Sequence, residues 1–337
     1  MIKAYAAMKP GAPLEAFEYD PGPLGHDEVE IRVESCGICH SDLSMLDNEW
    51  GMTTYPFVPG HEVIGSISAV GESVKNLKPG QRVGLGWHSG YCLSCQTCHS
   101  GDHNLCANAQ ATIGGHHGGF AEKVRAQAQA VVALPDGLNP DSSGPLFCGG
   151  ITVFNPLVQF DIKPTSKVAV IGIGGLGHLG LQFLNAWGCH VTAFTSSEAK
   201  QKEALSMGAH SVLDTRDKSA LEQAQGQFDL ILSTVNVKLD WNAYLATLAP
   251  KGRLHLVGAT LEPLDIGAFS LISAQRSVSG SPVGSPATIK TMLDFAARHN
   301  IEPVTEVFPF EEVNKALDRL REGKAHYRIV LKHQNQA

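Results

Sequence analysis

The sequence predicts an α/β protein of two domains, one rich in β-strands and loops and one built on a doubly wound parallel sheet. The chain has 337 residues, more than a single hydrophobic core usually supports. Residues before 148 show short strand-like runs separated by glycine and proline, including a Pro79-Gly80 turn. Apolar runs alternate with helix-like stretches after residue 148, which is typical of a parallel sheet. We expect the strand-rich domain over 1–148, the parallel-sheet domain over 149–284, and a return segment over 285–337 that completes the first.

The elements follow from local patterns. In the first domain, residues 29–33 alternate apolar and polar side chains, and 63–70 and 81–86 are further strand candidates. In the second, the apolar run 167–171 predicts a strand buried on both faces, followed by a helix over 176–187 and a strand over 190–195. A helix over 198–207 and strands over 228–233, 253–257 and 277–280 come next. The tail predicts helices over 287–298 and 310–322 and a closing strand over 327–332.

Composition excludes several classes of function. Hydrophobic residues make up 43% and charged residues 18%, as in a soluble globular protein. The net charge of −7, without a basic run, argues against nucleic acid or an anionic membrane as partner. The first residues lack the apolar stretch of a signal peptide, and no run of about 18 apolar residues occurs. We therefore expect a cytoplasmic protein whose partner is a small molecule.

A glycine cluster directly follows the first strand of the second domain. Gly172-Ile173-Gly174-Gly175-Leu176-Gly177 fits G-x-G-x-x-G between a strand and a helix, the context that a dinucleotide site requires. Backbone N–H groups and the start of the helix would face the pyrophosphate. An ordinary glycine turn is the alternative.

The end of the next strand predicts which dinucleotide binds. No carboxylate for a ribose 2′-hydroxyl lies at the strand end, where Thr195, Ser196 and Ser197 stand with Lys200 nearby. Hydroxyls and an ammonium suit a 2′-phosphate, which favours NADP(H) over NAD(H). Glu198 opposes this interpretation. A serine that caps the next helix is the alternative, and capping is compatible with phosphate binding.

Cysteine and histidine predict two metal sites. Cys92, Cys95, Cys98 and Cys106 lie on one short loop, and four thiolates close a tetrahedral structural zinc site. An iron–sulfur cluster is the rival, but no second cysteine cluster accompanies the loop. The separate set Cys39, His61 and Cys148 would leave one zinc position open for substrate, as in catalytic sites. We interpret Cys36 and Cys189 as core residues, and His116, His117 and His178 as surface or outer-shell groups.

These motifs, taken in order, resemble one family. Residues 36–42 (CGICHSD), Gly60-His61-Glu62, the four-cysteine loop, Cys148-x3-Thr152 and the glycine cluster are similar to those of the zinc-containing medium-chain dehydrogenase/reductase superfamily. The cinnamyl-alcohol-dehydrogenase-like branch, with its bacterial broad-specificity NADPH-dependent aldehyde reductases, is the most similar. The resemblance spans the chain. It implies a GroES-like catalytic domain and a Rossmann domain.

The resemblance also implies roles for individual residues. Cys39, His61 and Cys148 would ligate the catalytic zinc, with Glu62 a transient ligand. Ser41 would relay the substrate proton, and His40 would lie near the pyrophosphate. With the residues argued above, the candidate cofactor-binding set is Thr152, Gly172, Ile173, Gly174, Gly175, Leu176, Gly177, Thr195, Ser196, Ser197, Lys200, Thr234, Gly258, Ser281, Pro282 and Val283.

The implied function is a zinc-dependent alcohol dehydrogenase or aldehyde reductase. It would transfer a hydride between NADP(H) and a broad range of aromatic and medium-chain aliphatic alcohol–aldehyde pairs. Zinc would polarise the carbonyl while Ser41 carries the proton, with two zinc ions per chain. A homodimer is expected, with a tetramer as the alternative. Trp50 is a candidate pocket wall, with core packing as the alternative.

One position departs from the family pattern. Many relatives carry histidine five positions after the zinc cysteine, as the outer end of the proton relay, and here that position is Ser44. Proton exit would then use water or His40. Two other functions stay open: a polyol dehydrogenase of the same superfamily, which tends to use glutamate where Cys148 stands, and a non-catalytic cofactor-binding protein.

Overall fold

The structure, a computed structural model, describes residues 1–334 and contains two compact units. The first comprises residues 1–151 with the tail from Val283, and the second comprises residues 152–282. No helix within residues 1–334 is long and apolar enough to cross a membrane.

The first unit is built on a sheet that is antiparallel apart from one parallel pair, formed by the two strands of the tail. Its strands before the second unit are β1 (Ile2–Ala6), β2 (Glu15–Tyr19), β3 (Glu28–Ile38), β4 (Val63–Val70), β5 (Arg82–Leu85), β6 (His88–Gly90), β7 (Gln110–Ala111), β8 (Lys123–Gln127) and β9 (Val131–Ala133). Its early helices are α1 (His40–Leu46) and α2 (Gln96–His99). A further helix, α3 (Gly149–Gln159), leads into the second unit.

The second unit alternates strands and helices. The strands are β10 (Lys167–Ile171), β11 (His190–Thr195), β12 (Ser211–Asp214), β13 (Phe228–Ser233), β14 (Leu248–Leu256) and β15 (Ser277–Gly280). The helices are α4 (Gly177–Trp187), α5 (Glu198–Ser206), α6 (Lys218–Gln223), α7 (Trp241–Thr247) and α8 (Ala268–Ile272). The tail returns to the first unit with α9 (Pro286–His299), β16 (Thr305–Pro309), α10 (Val313–Arg321) and β17 (Arg328–Lys332).

Strand β3 positions the functional loop of the first unit. The sheet order is β16-β17-β3-β4-β5-β9, with β8 also paired to β3. Bulges in the β3–β4 pairing bend β3, which ends one residue before Cys39. The tail strand β17 pairs antiparallel with the last four residues of β3, with Ile329 opposite Ile38. The end of the chain is thereby brought beside the Cys39 loop, although 289 residues separate Cys39 from Arg328 in sequence.

The second unit is a six-stranded parallel sheet. Its order is β12-β11-β10-β13-β14-β15, and every pairing is parallel. The order reverses between β10 and β13, and the crevice at the carboxyl ends of strands at such a point is where these sheets bind nucleotides. The buried run of β10 is apolar throughout, and that of β13 is apolar except for Ser233 at its end, as in strands covered on both faces. The predicted doubly wound sheet is confirmed.

Most element predictions agree with the structure, with two differences in detail. Strand β14 begins at Leu248 rather than 253, because a register shift after Phe228 lets two segments pair with β13. The predicted helix over 310–322 begins as a 3₁₀ turn, Phe310–Glu312, before α10. Cys36 and Cys189 are buried, as predicted.

Candidate active site

Four side chains from three separate segments meet in the interior of the first unit. Cys39, His61, Glu62 and Cys148 are all buried, and each offers a ligand atom within 4.8 Å of the others. The Cys39 and Cys148 sulfurs are 3.9 Å apart, and His61 Nε2 lies 3.3 Å from Cys148 Sγ. A tetrahedral zinc with bonds of about 2.3 Å to sulfur holds two thiolates roughly 3.8 Å apart. The donor types and the spacing therefore fit one zinc ion.

Asp42 organises two of these ligands, and sequence reasoning assigned it no role. Its Oδ1 accepts from His61 Nδ1 at 3.0 Å and from the Gly60 N–H at 2.9 Å, while Oδ2 accepts from the Cys39 N–H at 2.8 Å. The carboxylate is fully buried. Hydrogen bonding at Nδ1 leaves Nε2 of His61 available to bind a metal ion, as outer carboxylates do at metal sites.

Glu62 is held by an arginine that sequence reasoning also missed. Arg328 Nη2 pairs with Glu62 Oε1, and both side chains are buried. Among residues 1–334, Glu62 Oε2 has no hydrogen-bond partner. Burial raises the pKa of Glu62, and the guanidinium opposes that rise. A carboxylate oxygen of Glu62 lies within the same cluster of donor atoms, where a cation would compensate its charge.

Glycine is required beside this cluster. A Cβ on Gly37 would overlap Glu62 Oε2, so any larger residue would displace the carboxylate.

Contact with the Cys148 thiol, and then the Arg328 charge, hold the pKa of Cys39 well below its usual value against the effect of burial. The pocket thus favours a thiolate at Cys39, the form in which sulfur binds metal.

Two tryptophans, Trp87 and Trp50, lie beside His61. The Trp87 ring packs edge-on against the His61 imidazole, with centroids 5.0 Å apart. Trp50 in turn contacts Trp87 at 6.1 Å. Both indoles are half-buried and also touch the core of the unit. Both interpretations of Trp50 therefore agree with its position, whereas sequence reasoning did not identify Trp87.

The predicted relay residues lie at the start of α1. Ser41 Oγ is 3.7 Å from Cys39 Sγ and is half-buried. His40 is exposed, and Ser44 is buried on the same helix. The structure thus brings Ser41, but not Ser44, to the ligand cluster.

The four-cysteine loop closes on itself. Cys106 Sγ lies 3.5 Å from Cys92 and 3.8 Å from Cys95, and Cys92 lies 4.0 Å from Cys98. These distances match the sulfurs of one tetrahedral ion, with no position left for substrate. Contacts with Ser94 lower the pKa of Cys92 to about 5, which favours the thiolate that a metal needs.

The glycine cluster forms a tight turn at the end of β10. Gly172 has φ +85°, and a Cβ there would come 2.5 Å from Val235 Cγ1. A Cβ on Gly177 would overlap the Gly172 carbonyl, whereas one on Gly174 would meet nothing within 4 Å. The first and third glycines are therefore needed for the turn, and the open face at Gly174 leaves room for a phosphate to approach.

Several predicted cofactor residues shape this turn. Thr234 Oγ1 donates to the Gly172 carbonyl at 2.7 Å. His178, interpreted above as a surface or outer-shell group, is fully buried, and its Nδ1 lies 3.0 Å from the Gly174 carbonyl oxygen. The surface interpretation of His178 was wrong, because the ring is buried at the start of α4 beside the turn. A Cβ on Gly258 would overlap the Val235 carbonyl, so this position also needs glycine.

The end of β11 presents hydroxyls as predicted, but not all of them are free. Thr195 is buried, and its Oγ1 accepts from the Ser197 N–H at 3.1 Å. Ser197 occupies the N-cap position of α5 without making a capping hydrogen bond through its side chain. Ser196 is exposed, and Lys200 lies within the first turn of α5. The alternative of a capping serine is therefore not what this helix start shows.

The remaining predicted cofactor residues belong to α3, to the segment after β15 and to the glycine turn. Thr152 is buried in α3, and Ser281 Oγ lies 3.0 Å from His255 Nε2 just after β15, followed by Pro282 and Val283. Ile173 is buried in the turn, and Gly175 and Leu176 are partly exposed there.

Comparison with known proteins identifies the family. The alcohol dehydrogenase GroES-like domain matches residues 25–136, and the zinc-binding dehydrogenase family matches residues 175–298. An aldehyde reductase of Synechocystis sp. is 62% identical over 333 residues, covering 99% of each chain.

Solved structures support the same family assignment. A cinnamyl alcohol dehydrogenase of Sorghum bicolor superposes with a TM-score of 0.95 at 35% identity, covering 98% of this chain and 97% of the other. The CAD of Helicobacter pylori, solved with NADP(H), gives 0.91 at 29% identity, with 98% and 97% covered. The chain therefore belongs to the zinc-containing medium-chain dehydrogenase/reductase superfamily, in its cinnamyl-alcohol-dehydrogenase-like branch, and is an oxidoreductase of the alcohol dehydrogenase/aldehyde reductase type.

Proposed function

We propose that this protein is an NADP(H)-dependent aldehyde reductase that holds two zinc ions and accepts aromatic and medium-chain aliphatic aldehydes. The observation that carries the proposal is the open set of Cys39, His61 and Cys148, beside a separate closed set of four thiolates. The name of the 62% identical relative supports the direction of the reaction. A complete open ligand set argues against a non-catalytic member. Two relatives named mannitol dehydrogenase, 38–39% identical, keep a polyol as the second candidate substrate.

Zinc in the open site would act as a Lewis acid on the substrate oxygen. The protein groups hold the ligands ready for it. Asp42 orients His61, and the Arg328–Glu62 pair sets the charge around Cys39. Trp87 and Trp50 supply an apolar wall beside His61, which suits an aromatic or aliphatic substrate body.

Ser41 is proposed to pass the proton to the substrate oxygen. A hydroxyl can donate and accept at once, and this one lies next to a zinc ligand. Because Ser44 is buried on α1, the next step outward is assigned to water or to the exposed His40 on the same helix.

The preference for NADP(H) is proposed from the end of β11. Ser196 stands where an NAD enzyme would carry aspartate, and a carboxylate there would repel a 2′-phosphate. Serine hydroxyls and Lys200 would donate to the phosphate, and one charge-assisted bond contributes roughly 1.5–3 kcal/mol, about ten- to a hundredfold. The solved relative with NADP(H) supports this choice.

The test is the ratio of catalytic efficiencies with NADPH and NADH. We expect the parent to prefer NADPH and Ser196→Asp to reduce that ratio about tenfold or more, chiefly by weakening NADPH. Ser206→Asp, at the other end of α5, adds the same charge and is the control. A parent that prefers NADH, or a ratio that Ser196→Asp does not change, would refute the assignment.

We also propose a cytoplasmic homodimer, with a tetramer as the alternative. The second unit exposes Leu261, Phe269 and Ile272 on α8 and the loop before it, and β15 is the last strand of its sheet. Exposed apolar side chains beside an edge strand are typical of a protein interface. Sedimentation should give twice the chain mass, and Phe269→Asp should shift the protein toward monomer.

A further inference from the structure

The carboxyl ends of β11 and β12 lie side by side. The strands are parallel, with Thr195 opposite Asp214, and the Thr215 N–H donates to the Thr195 carbonyl at 3.2 Å. Neighbouring strands are about 4.8 Å apart. The residues that follow β12 therefore lie next to Ser196 and Ser197, on the side away from β10.

One of these residues is an arginine with donors to spare. Arg216 Nε bonds to Asp214 Oδ1 at 3.0 Å, and Nη2 bonds to Asp214 Oδ2. Its side chain is 60% exposed. A guanidinium carries five N–H donors in a planar fork. The pairing with Asp214 leaves Nη1 available to an anion.

The charges around Arg216 are mixed. Asp214 and, more weakly, Glu198 raise the pKa of Arg216, so Glu198 at the start of α5 lies close enough to interact with the guanidinium. Asp217 caps α6 through its bond to the Ser219 N–H. Three cations, Lys200, Arg216 and Lys218, follow these two strands together with the carboxylates of Glu198, Asp214 and Asp217. Without Arg216, carboxylates would dominate the place where a phosphate dianion is proposed to bind.

We propose that Arg216 is a further specificity-determining residue, which binds the 2′-phosphate of NADP(H) from the strand next to Ser196. This inference rests on the proposed NADP(H) preference. Arg216 offsets Glu198 and Asp214 and offers a fork that matches phosphate oxygens. The residue thereby explains how an NADP(H) site can tolerate Glu198 two positions after Ser196.

The test is direct binding of NADPH and NADH to the full-length, zinc-loaded protein by titration calorimetry. Arg216→Gln should weaken NADPH about tenfold, because an exposed contact is partly screened by solvent, and should leave NADH within about twofold. Arg216→Lys, which keeps the charge, should retain part of the NADPH affinity. Lys163→Gln is the matched control: it removes an equally exposed, aspartate-paired cation from the amino-terminal edge of the same sheet.

Ionic strength separates a charge effect from a structural one. Added salt should weaken NADPH binding to the parent more than to Arg216→Gln. Suppose that the parent prefers NADPH. If Arg216→Gln then loses NADPH and NADH affinity equally, or binds NADPH as tightly as the parent does, the role of Arg216 is overturned and the proposed function still stands. A parent that binds NADH more tightly would overturn both.

Discussion

Replacing Asp42 by asparagine tests how the active-site ligands are held. The carboxylate accepts three hydrogen bonds, from His61 Nδ1, the Gly60 N–H and the Cys39 N–H. An asparagine keeps one carbonyl oxygen, so it can serve the first two donors, but its NH2 group then faces the Cys39 N–H. The substitution preserves shape and removes at least one bond and the negative charge.

The expected loss can be worked from those contacts. One charge-assisted hydrogen bond contributes roughly 1.5–3 kcal/mol, and a buried donor without an acceptor adds a similar cost. Part of this cost falls on folding and part on metal binding. Zinc affinity should therefore drop about ten- to a hundredfold, the range typical of outer-shell substitutions.

The assay follows zinc release to a chromophoric chelator. Two phases are expected, one from each site, and Cys148→Ala identifies the active-site phase by removing it. Asp42→Asn should accelerate that phase about tenfold or more and leave the four-cysteine phase unchanged. Asp47→Asn, at the other end of α1 where the carboxylate pairs with Arg321 near the surface, is the control. Equal release rates for Asp42→Asn and the parent would refute the role of Asp42.

Other predictions address the relay and the second unit. Ser41→Ala should lower turnover about a hundredfold or more, while Ser41→Thr keeps most of it, because a positioned hydroxyl contributes on this scale. Steady-state rates of both variants test this prediction, and a full rate in Ser41→Ala would contradict it. His255 is buried between Ser279 and Ser281, and burial lowers its pKa from 6.5 to about 4. The unfolded chain therefore takes up the proton first, and the free energy of unfolding falls as pH drops from about 6.5 to 4, by roughly 3 kcal/mol in all. His255→Gln should shrink the loss of unfolding free energy between pH 7.5 and 4.5 relative to the parent, and an unchanged loss would count against this pKa.

The fold was predictable because its signals are local. The apolar run 167–171 followed by Gly172 and Gly174 predicts a buried strand and a tight turn without knowledge of any other part of the chain. Helix α9 is preceded by Ser285, whose hydroxyl accepts from the Thr288 N–H, and followed by Asn300 in a left-handed conformation, and these are recognisable start and stop signals. The 3₁₀ turn Phe310–Glu312 was not distinguished from α-helix, because one turn is too short for the two helical periods to give different apolar patterns.

The site was predictable only in part, because some of its contacts are set by tertiary structure. Cys39 and His61 lie in recognisable motifs, but Arg328 reaches Glu62 only because β17 pairs with the end of β3. A single arginine in a tail gives no local signal of burial. Asp42 had a usable signal, since it stands three residues after Cys39 and bonds back to the Cys39 N–H, as in a capping box.

The most direct test of the central claim joins turnover to metal content. The parent should hold close to two zinc ions per chain and oxidise NADPH with an aromatic aldehyde such as benzaldehyde. Cys148→Ala should hold about one zinc, keep a cooperative thermal unfolding transition, and lose aldehyde reduction by at least about a thousandfold. Substantial turnover in Cys148→Ala, or a parent with zinc at the four-cysteine loop alone, would contradict a zinc-dependent reaction at Cys39, His61 and Cys148.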